Sequence, residues 1–216
     1  METIRFWFSK TGRAKYISHL DLMRAMTRTL RRAGFPLWYT EGFHPHLYLT
    51  FGQPLSLGFE SDCEAMEVKA LEPIDFAAAK DRLNALLPPD IRVHRVTKAE
   101  PPLSDIAYSE YRVELRFAVD PATPEQYAAF SAQEEVLVEK KTKRGIAKIN
   151  LAPALTMTRA EADGNTLVLH MVLPCGQTSN INPSLVTGAF LSYLSREADV
   201  QVRRVAVFNE SNEAFV

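Results

Sequence analysis

Residues 16–51, YISHLDLMRAMTRTLRRAGFPLWYTEGFHPHLYLTF, hold the signals that decide how this chain folds. Ser18 is a typical helix N-cap residue, and Asp21 adds a carboxylate near the positive end of the helix. Gly34 and Pro36 mark the end of the helix, because neither residue continues one. The sequence therefore predicts a helix that is followed by an aromatic strand and a loop with two histidines.

The predicted helix has two different faces. Apolar residues recur at helical spacing on one face, and arginines recur on another. The arginine stripe consists of Arg24, Arg28, Arg31 and Arg32. A guanidinium group presents a planar fork of donors that matches a phosphate group, so this face is a candidate phosphate-binding surface. The other interpretation is an ordinary solvated helix face.

The elements around this helix follow a repeated order. Residues 3–10 alternate as a strand, two short strand signals follow the helix, and a strand, a second helix and a last strand end near residue 96. This order is that of the βαββαβ ferredoxin-like fold. The second half repeats it, with a hairpin at 136–151 added. We therefore expect an α+β protein with an internal duplication.

The predicted domain organisation is two tandem ferredoxin-like halves, each an antiparallel sheet with its helices on one face. The halves comprise residues 1–97 and 109–216, and a linker with two prolines occupies residues 98–108. No apolar run approaches the roughly 20 residues that a membrane span needs. The start, METIRFWFSK, does not resemble a signal peptide, so we expect a cytoplasmic protein whose two cysteines are reduced.

Positive charge is concentrated in two segments although the net charge of the 216 residues is only -1. Residues 3–40 contain eight basic residues and one acidic residue, and residues 139–148 contain five basic residues and one acidic residue. Besides the arginine stripe, the basic residues are Arg5, Lys10, Arg13, Lys15, Lys140, Lys141, Lys143, Arg144 and Lys148. Such patches on a neutral chain indicate a specific anionic partner.

The leading hypothesis is a non-catalytic RNA-binding or substrate-presenting accessory protein, with RNA as its partner and no cofactor. The stripe with Arg13 and Lys15 would hold phosphates, and Tyr39 would stack on a base. Residues Lys140, Lys141, Lys143 and Arg144 would extend this track. The glycines match neither a dinucleotide-binding nor a P-loop pattern, which argues against NAD and ATP.

Three histidines are candidates for specific contacts. His19 opens the helix, and His44 and His46 lie in the loop after the aromatic strand. Their spacing matches no compact metal-ligand pattern, so we do not predict a metal site. One of them could act as general acid or base, and a metal-independent endoribonuclease is therefore an alternative function. A protein-interaction adaptor that does not bind nucleic acid is a second alternative.

Residues 10–61, KTGRAKYISHLDLMRAMTRTLRRAGFPLWYTEGFHPHLYLTFGQPLSLGFES, resemble the N-terminal signature of the bacterial radical-SAM-linked, or radical-SAM-associated, domain of unknown function. KKTKRGIAKINLAPAL and SNINPSLVTGAF resemble later segments of this family less closely, and Asn182 stands where the pattern has arginine. The chain has no CxxxCxxC motif for an iron–sulfur cluster. The resemblance therefore implies a stand-alone accessory module with a radical SAM protein as a possible partner.

Overall fold

The computed structural model describes residues 1–142, 145–176 and 179–215. The chain divides into two compact units, residues 1–106 with Phe215 and residues 107–214. Each unit combines antiparallel strands with α-helices, so the protein has a mixed α and β fold. Within the described ranges, no helix is both long enough and apolar enough to cross a membrane.

The first unit has the element order strand, helix, strand, strand, helix, strand. The elements are β1 (Glu2–Lys10), α1 (His19–Ala33), β2 (Leu49–Phe51), β3 (Glu60–Ala70), α2 (Phe76–Asn84) and β4 (Ile91–Lys98), with 3-10 helices at Gly12–Tyr16 and Leu103–Asp105. β3 pairs antiparallel with β1 and β2, and β1 pairs antiparallel with β4. The order across this part of the sheet is therefore β4-β1-β3-β2.

Alternation along β1 separates an apolar face from a mixed face. Ile4, Phe6 and Phe8 are each 0% exposed and belong to one hydrophobic core with residues of both helices. These helical core residues are Leu22, Met26, Leu30, Ala33, Ala79 and Leu83. Side chains of a strand alternate between its two faces, so the residues between them, such as Arg5 and Trp7, point to the other face of the sheet.

The chain between α1 and β2 differs from the prediction of two short strands. Leu37 and Tyr39 make only isolated bridges, to Ala70 and Leu47. The amide of Thr40 donates to the carbonyl of His46 at 2.8 Å. Residues 38–40 therefore fold back on 46–48 as a closed loop, and regular pairing with β3 begins only at Leu49.

The second unit contains the longer set of elements. These are β5 (Tyr108–Arg116), α3 (Pro124–Ser131), β6 (Leu137–Thr142), β7 (Gly145–Asn150), α4 (Ala152–Leu155), β8 (Thr158–Asp163), β9 (Thr166–Pro174), α5 (Pro183–Leu194) and β10 (Asp199–Phe208). β10, β5, β9 and β8 pair antiparallel in that order. In the described residues, β6 and β7 pair only with each other and form a separate two-stranded sheet.

Aromatic side chains from two helices fill the core of the second unit. Tyr127 and Phe130 of α3 lie 5.1 and 5.3 Å from Phe190 of α5, measured between ring centroids. All three side chains are at most 2% exposed. Thr123 and Gln126 form a capping box that starts α3. These contacts hold α3 and α5 together.

Candidate nucleic-acid interface

Local signals determine both ends of α1, which carries the arginine stripe. The amide of Asp21 donates to the Ser18 hydroxyl oxygen at 3.1 Å, and that hydroxyl donates to the Asp21 carboxylate at 2.8 Å. Gly34 adopts the left-handed conformation with φ 67°, and its amide donates to the Arg31 carbonyl at 3.1 Å. The predicted helix and its caps are confirmed.

A groove of about 520 Å³ runs along α1 in the first unit. Arg24, Arg28 and Arg31 line it from the helix, together with Leu20, Met23 and Thr27. The opposite wall is formed by the closed loop and the start of β2, through His46, Leu47, Tyr48 and Leu49. The groove thus combines a cationic rim with apolar surface.

The three arginines of the groove have different neighbours. Arg24 donates to the Asp21 carboxylate at 3.2 Å, and both side chains are more than half exposed. Hydrogen bonds from Ser18 and Arg24 lower the pKa of Asp21, with Arg28 contributing at longer range. Arg31 lies over the ring of Tyr39 at 5.5 Å. Arg28 has no hydrogen-bond or ion-pair partner within the described ranges, so its guanidinium group is the most available to a ligand.

Hydrogen bonds hold the His46 ring in one orientation. Its Nδ1 atom lies 3.2 Å from the carbonyl oxygen of His44 and 2.9 Å from the hydroxyl of Thr40. These two contacts occupy Nδ1, so Nε2 is the ring nitrogen left for a ligand.

Two aromatic residues of this region pack against each other and are only partly open to solvent. Trp38 and Tyr48 are half-buried, with ring centroids 5.7 Å apart. The Lys69 ammonium lies 5.1 Å from the Trp38 ring and 4.4 Å from the Tyr48 ring. Lys69 was not predicted as a site residue from the sequence. Its place in the alternation of β3 was the signal that could have indicated it. Its charge adds to the positive potential behind Tyr48.

The other predicted residues of the first unit lie outside the groove lining. Arg13 and Arg32 are exposed, and Lys15 lies over the ring of Tyr16 at 5.4 Å. His19 packs edge-on against Phe51 at 5.2 Å, and His44 is exposed. Of the three candidate histidines, only His46 lines the groove.

Two residues counted in the basic segment are buried, so that part of the prediction is wrong. Arg5 is 0% exposed and paired with Glu67 at 2.6 Å. Lys10 is 2% exposed, and burial lowers its pKa while nearby Glu64 opposes the shift. Glu64 is also buried. The positive charge of residues 3–40 that faces solvent is therefore smaller than the count of basic residues in this segment.

The second basic cluster is only partly described. The Lys140 ammonium donates to the carbonyl of Asn180. The predicted contacts of the Lys141 side chain, Lys143 and Arg144 lie outside the described residues. Cys63 and Cys175 are not joined by a disulfide.

Comparisons with known proteins give a fold and a family. A chain of a Cbf5–Nop10–Gar1 complex is 12% identical with a TM-score of 0.49, over 95% of this chain and 50% of that one. A chain of an H/ACA RNP bound to a substrate RNA containing 2'-deoxyuridine is 10% identical with a TM-score of 0.50, over 96% of this chain and 49% of that one. This chain spans about half the length of both.

At such low identity the likeness concerns the fold alone. No curated protein sequence matches the chain significantly. A family model matches residues 3–183, which is most of the chain. The chain therefore belongs to the family described as an uncharacterised protein conserved in bacteria, DUF2344.

Proposed function

We propose that this protein binds RNA, without cleaving it, in the groove beside α1. The observation that carries the proposal is the convergence of Arg24, Arg28, Arg31 and His46 on one groove that also has apolar surface. Guanidinium groups suit phosphates, and apolar and aromatic surface suits an unpaired base. A volume of about 520 Å³ lies in the range of small-ligand sites.

Two further inferences accompany this proposal. We propose that the two units are tandem ferredoxin-like halves, corresponding to residues 1–97 and 109–216. If β6 and β7 are left out, each unit has four strands, and these lie side by side in the order fourth, first, third and second along the chain. We also propose that the protein is an accessory module, associated with RNA processing or with a radical SAM enzyme. One solved complex of similar fold contains a substrate RNA, which makes RNA the first partner to test.

Arg13, Lys15 and Arg32 have a smaller role in this proposal than the sequence suggested. They lie outside the groove lining, so they attract RNA only at longer range, as does the cluster that contains Lys140. A histidine ribonuclease remains the second candidate function, because His46 lines the cationic groove with Nε2 available. Incubation with labelled RNA distinguishes the two functions, because binding leaves the RNA intact and a ribonuclease cleaves it.

The test is binding of fluorescein-labelled single-stranded RNA to the full chain as salt is varied. Each neutralised phosphate contributes about 0.7 to the slope of log affinity against log salt. Arg28→Gln should therefore weaken binding and reduce the slope by about that amount. Arg32→Gln removes the same charge from the same helix outside the groove, and should change binding much less.

Several outcomes would contradict the proposal. Absence of binding, an affinity that does not change with salt, or equal effects of Arg28→Gln and Arg32→Gln would each reject this groove as the RNA site. Electrophoresis of the RNA after incubation in EDTA should give intact RNA. Cleavage that His46→Ala abolishes would instead favour the ribonuclease.

A further inference from the structure

A second groove, of about 600 Å³, lies between β6 and α5 in the second unit. Five consecutive residues, 135–139, line it on the strand side, and the last three of them belong to β6. The side of α5 that lines it includes Ser184, Leu185, Gly188, Ala189, Ser192 and Tyr193. Side chains of a strand alternate between two faces, so a lining that includes three consecutive residues of β6, 137–139, means that the groove follows the edge of β6 rather than one face.

The backbone on that edge of β6 has no strand partner within the described ranges. On the other edge, the Leu151 amide donates to the Val136 carbonyl at 2.9 Å, so the backbone of Val136 faces β7. Every second residue of an antiparallel pair repeats this orientation. Val138 therefore faces β7 as well, and the N–H and C=O groups of Leu137 and Glu139 point away from it. Such an edge is a template for a further strand.

The helix side of the groove leaves room for an extended backbone. A Cβ atom placed on Gly188 would meet no heavy atom within 4 Å. Ser184 and Ser192, about one turn away on either side, also have small side chains. Leu137 and Tyr193 are 58% and 50% exposed and provide apolar contacts. Exposed apolar residues around an open strand edge indicate a protein-binding surface.

The charge of the lining indicates which peptide would fit. Glu135 and Glu139 are the charged residues of the described lining, which includes no lysine or arginine. These carboxylates disfavour RNA and favour a basic segment. We propose that this groove binds an extended segment of a partner protein, which adds to β6 as a strand and carries alternating apolar and basic residues. This mode of recognition combines backbone hydrogen bonds for affinity with side-chain contacts for specificity.

The proposal is tested with the full chain and fluorescein-labelled peptides that alternate valine and lysine. Fluorescence anisotropy should show saturable binding. Two control peptides should bind at least about tenfold less tightly. One replaces lysine with glutamate, and the other has N-methyl groups on alternate backbone amides, which removes the donors that strand addition needs.

Two substitutions on α5 locate the site. Gly188→Leu projects a side chain into the open groove and should abolish binding, whereas Gly188→Ala leaves most of the space and should retain it. Both replace glycine within a helix, so the thermal unfolding midpoint of each should equal or exceed that of the wild type.

The proposal is overturned if none of the peptides binds, if the N-methylated peptide binds equally well, or if Gly188→Leu leaves binding unchanged. Analytical ultracentrifugation tests whether a second copy of the chain occupies the groove instead. A concentration-dependent dimer that Gly188→Leu dissociates, without peptide binding, would assign the groove to a second copy of the chain and would also overturn the proposal.

Discussion

Replacing Glu67 with glutamine should destabilise the first unit strongly, because Glu67 is the carboxylate partner of the buried Arg5. Arg5 donates to one Glu67 oxygen from Nε at 3.0 Å and from Nη2 at 2.6 Å. Nη2 also donates to the Pro101 carbonyl. The guanidinium group lies 5.5 Å from the Trp7 ring and 5.1 Å from the Phe215 ring. Glu67→Gln removes the negative charge and leaves these neutral contacts.

The expected loss in the free energy of unfolding is about 3 kcal/mol. Removing one partner of a buried ion pair costs about 3–5 kcal/mol, since the remaining charge is left unpaired. The side chain of Glu67 is 15% exposed, and the carbonyl and the two rings still contact Arg5, so the low end of this range applies. The double substitution Arg5→Met with Glu67→Leu removes both charges and should cost less than the single one.

Urea unfolding, monitored by tryptophan fluorescence, measures the stability of the first unit. Both tryptophans of the chain, Trp7 and Trp38, belong to the first unit, so their emission reports its unfolding. Glu72→Gln is the matched control, because Glu72 is exposed, and it should change the free energy by less than about 0.5 kcal/mol. A loss below about 1 kcal/mol for Glu67→Gln, or a double variant as unstable as the single, would refute the reasoning.

Three further predictions concern single residues. Gly34→Ala should lower the free energy of unfolding by about 1 kcal/mol, because its φ of 67° disfavours a side chain even though space is open, and unchanged urea unfolding would contradict this. Relative to Lys10→Met, the wild type should gain stability as the pH rises toward 10.5, because burial lowers the native pKa of Lys10 and the unfolded chain binds more protons; a constant difference would reject this linkage. Cys63 should react with a thiol reagent before Cys175, whose burial raises its pKa, and equal rates in the two single Cys→Ser variants would disprove it.

Local interactions made several features predictable from the sequence. Ser18 and Gly34 specify the ends of α1 through bonds to residues within three positions. The alternation in β1 predicts that Ile4, Phe6 and Phe8 share one face, and all three are buried in the core. These features depend on backbone geometry and on the period of apolar residues, which the sequence displays directly.

The composition of the candidate RNA site depended on the tertiary structure. The arginine stripe was visible in the sequence, but the selection of His46 over His19 and His44 depends on how Thr40 closes the loop. Lys69 reaches the ring pair from β3, far along the chain from Trp38 and Tyr48.

The sequence alone determined where the helices begin and end and which residues of β1 share a face. The tertiary structure decided which charges reach the solvent. Arg5 resembled any other basic residue in a count of charges, yet it pairs with Glu67, 62 residues away, and with the Pro101 carbonyl, 96 residues away. Burial results from contacts between distant parts of the chain, so a local pattern does not contain it.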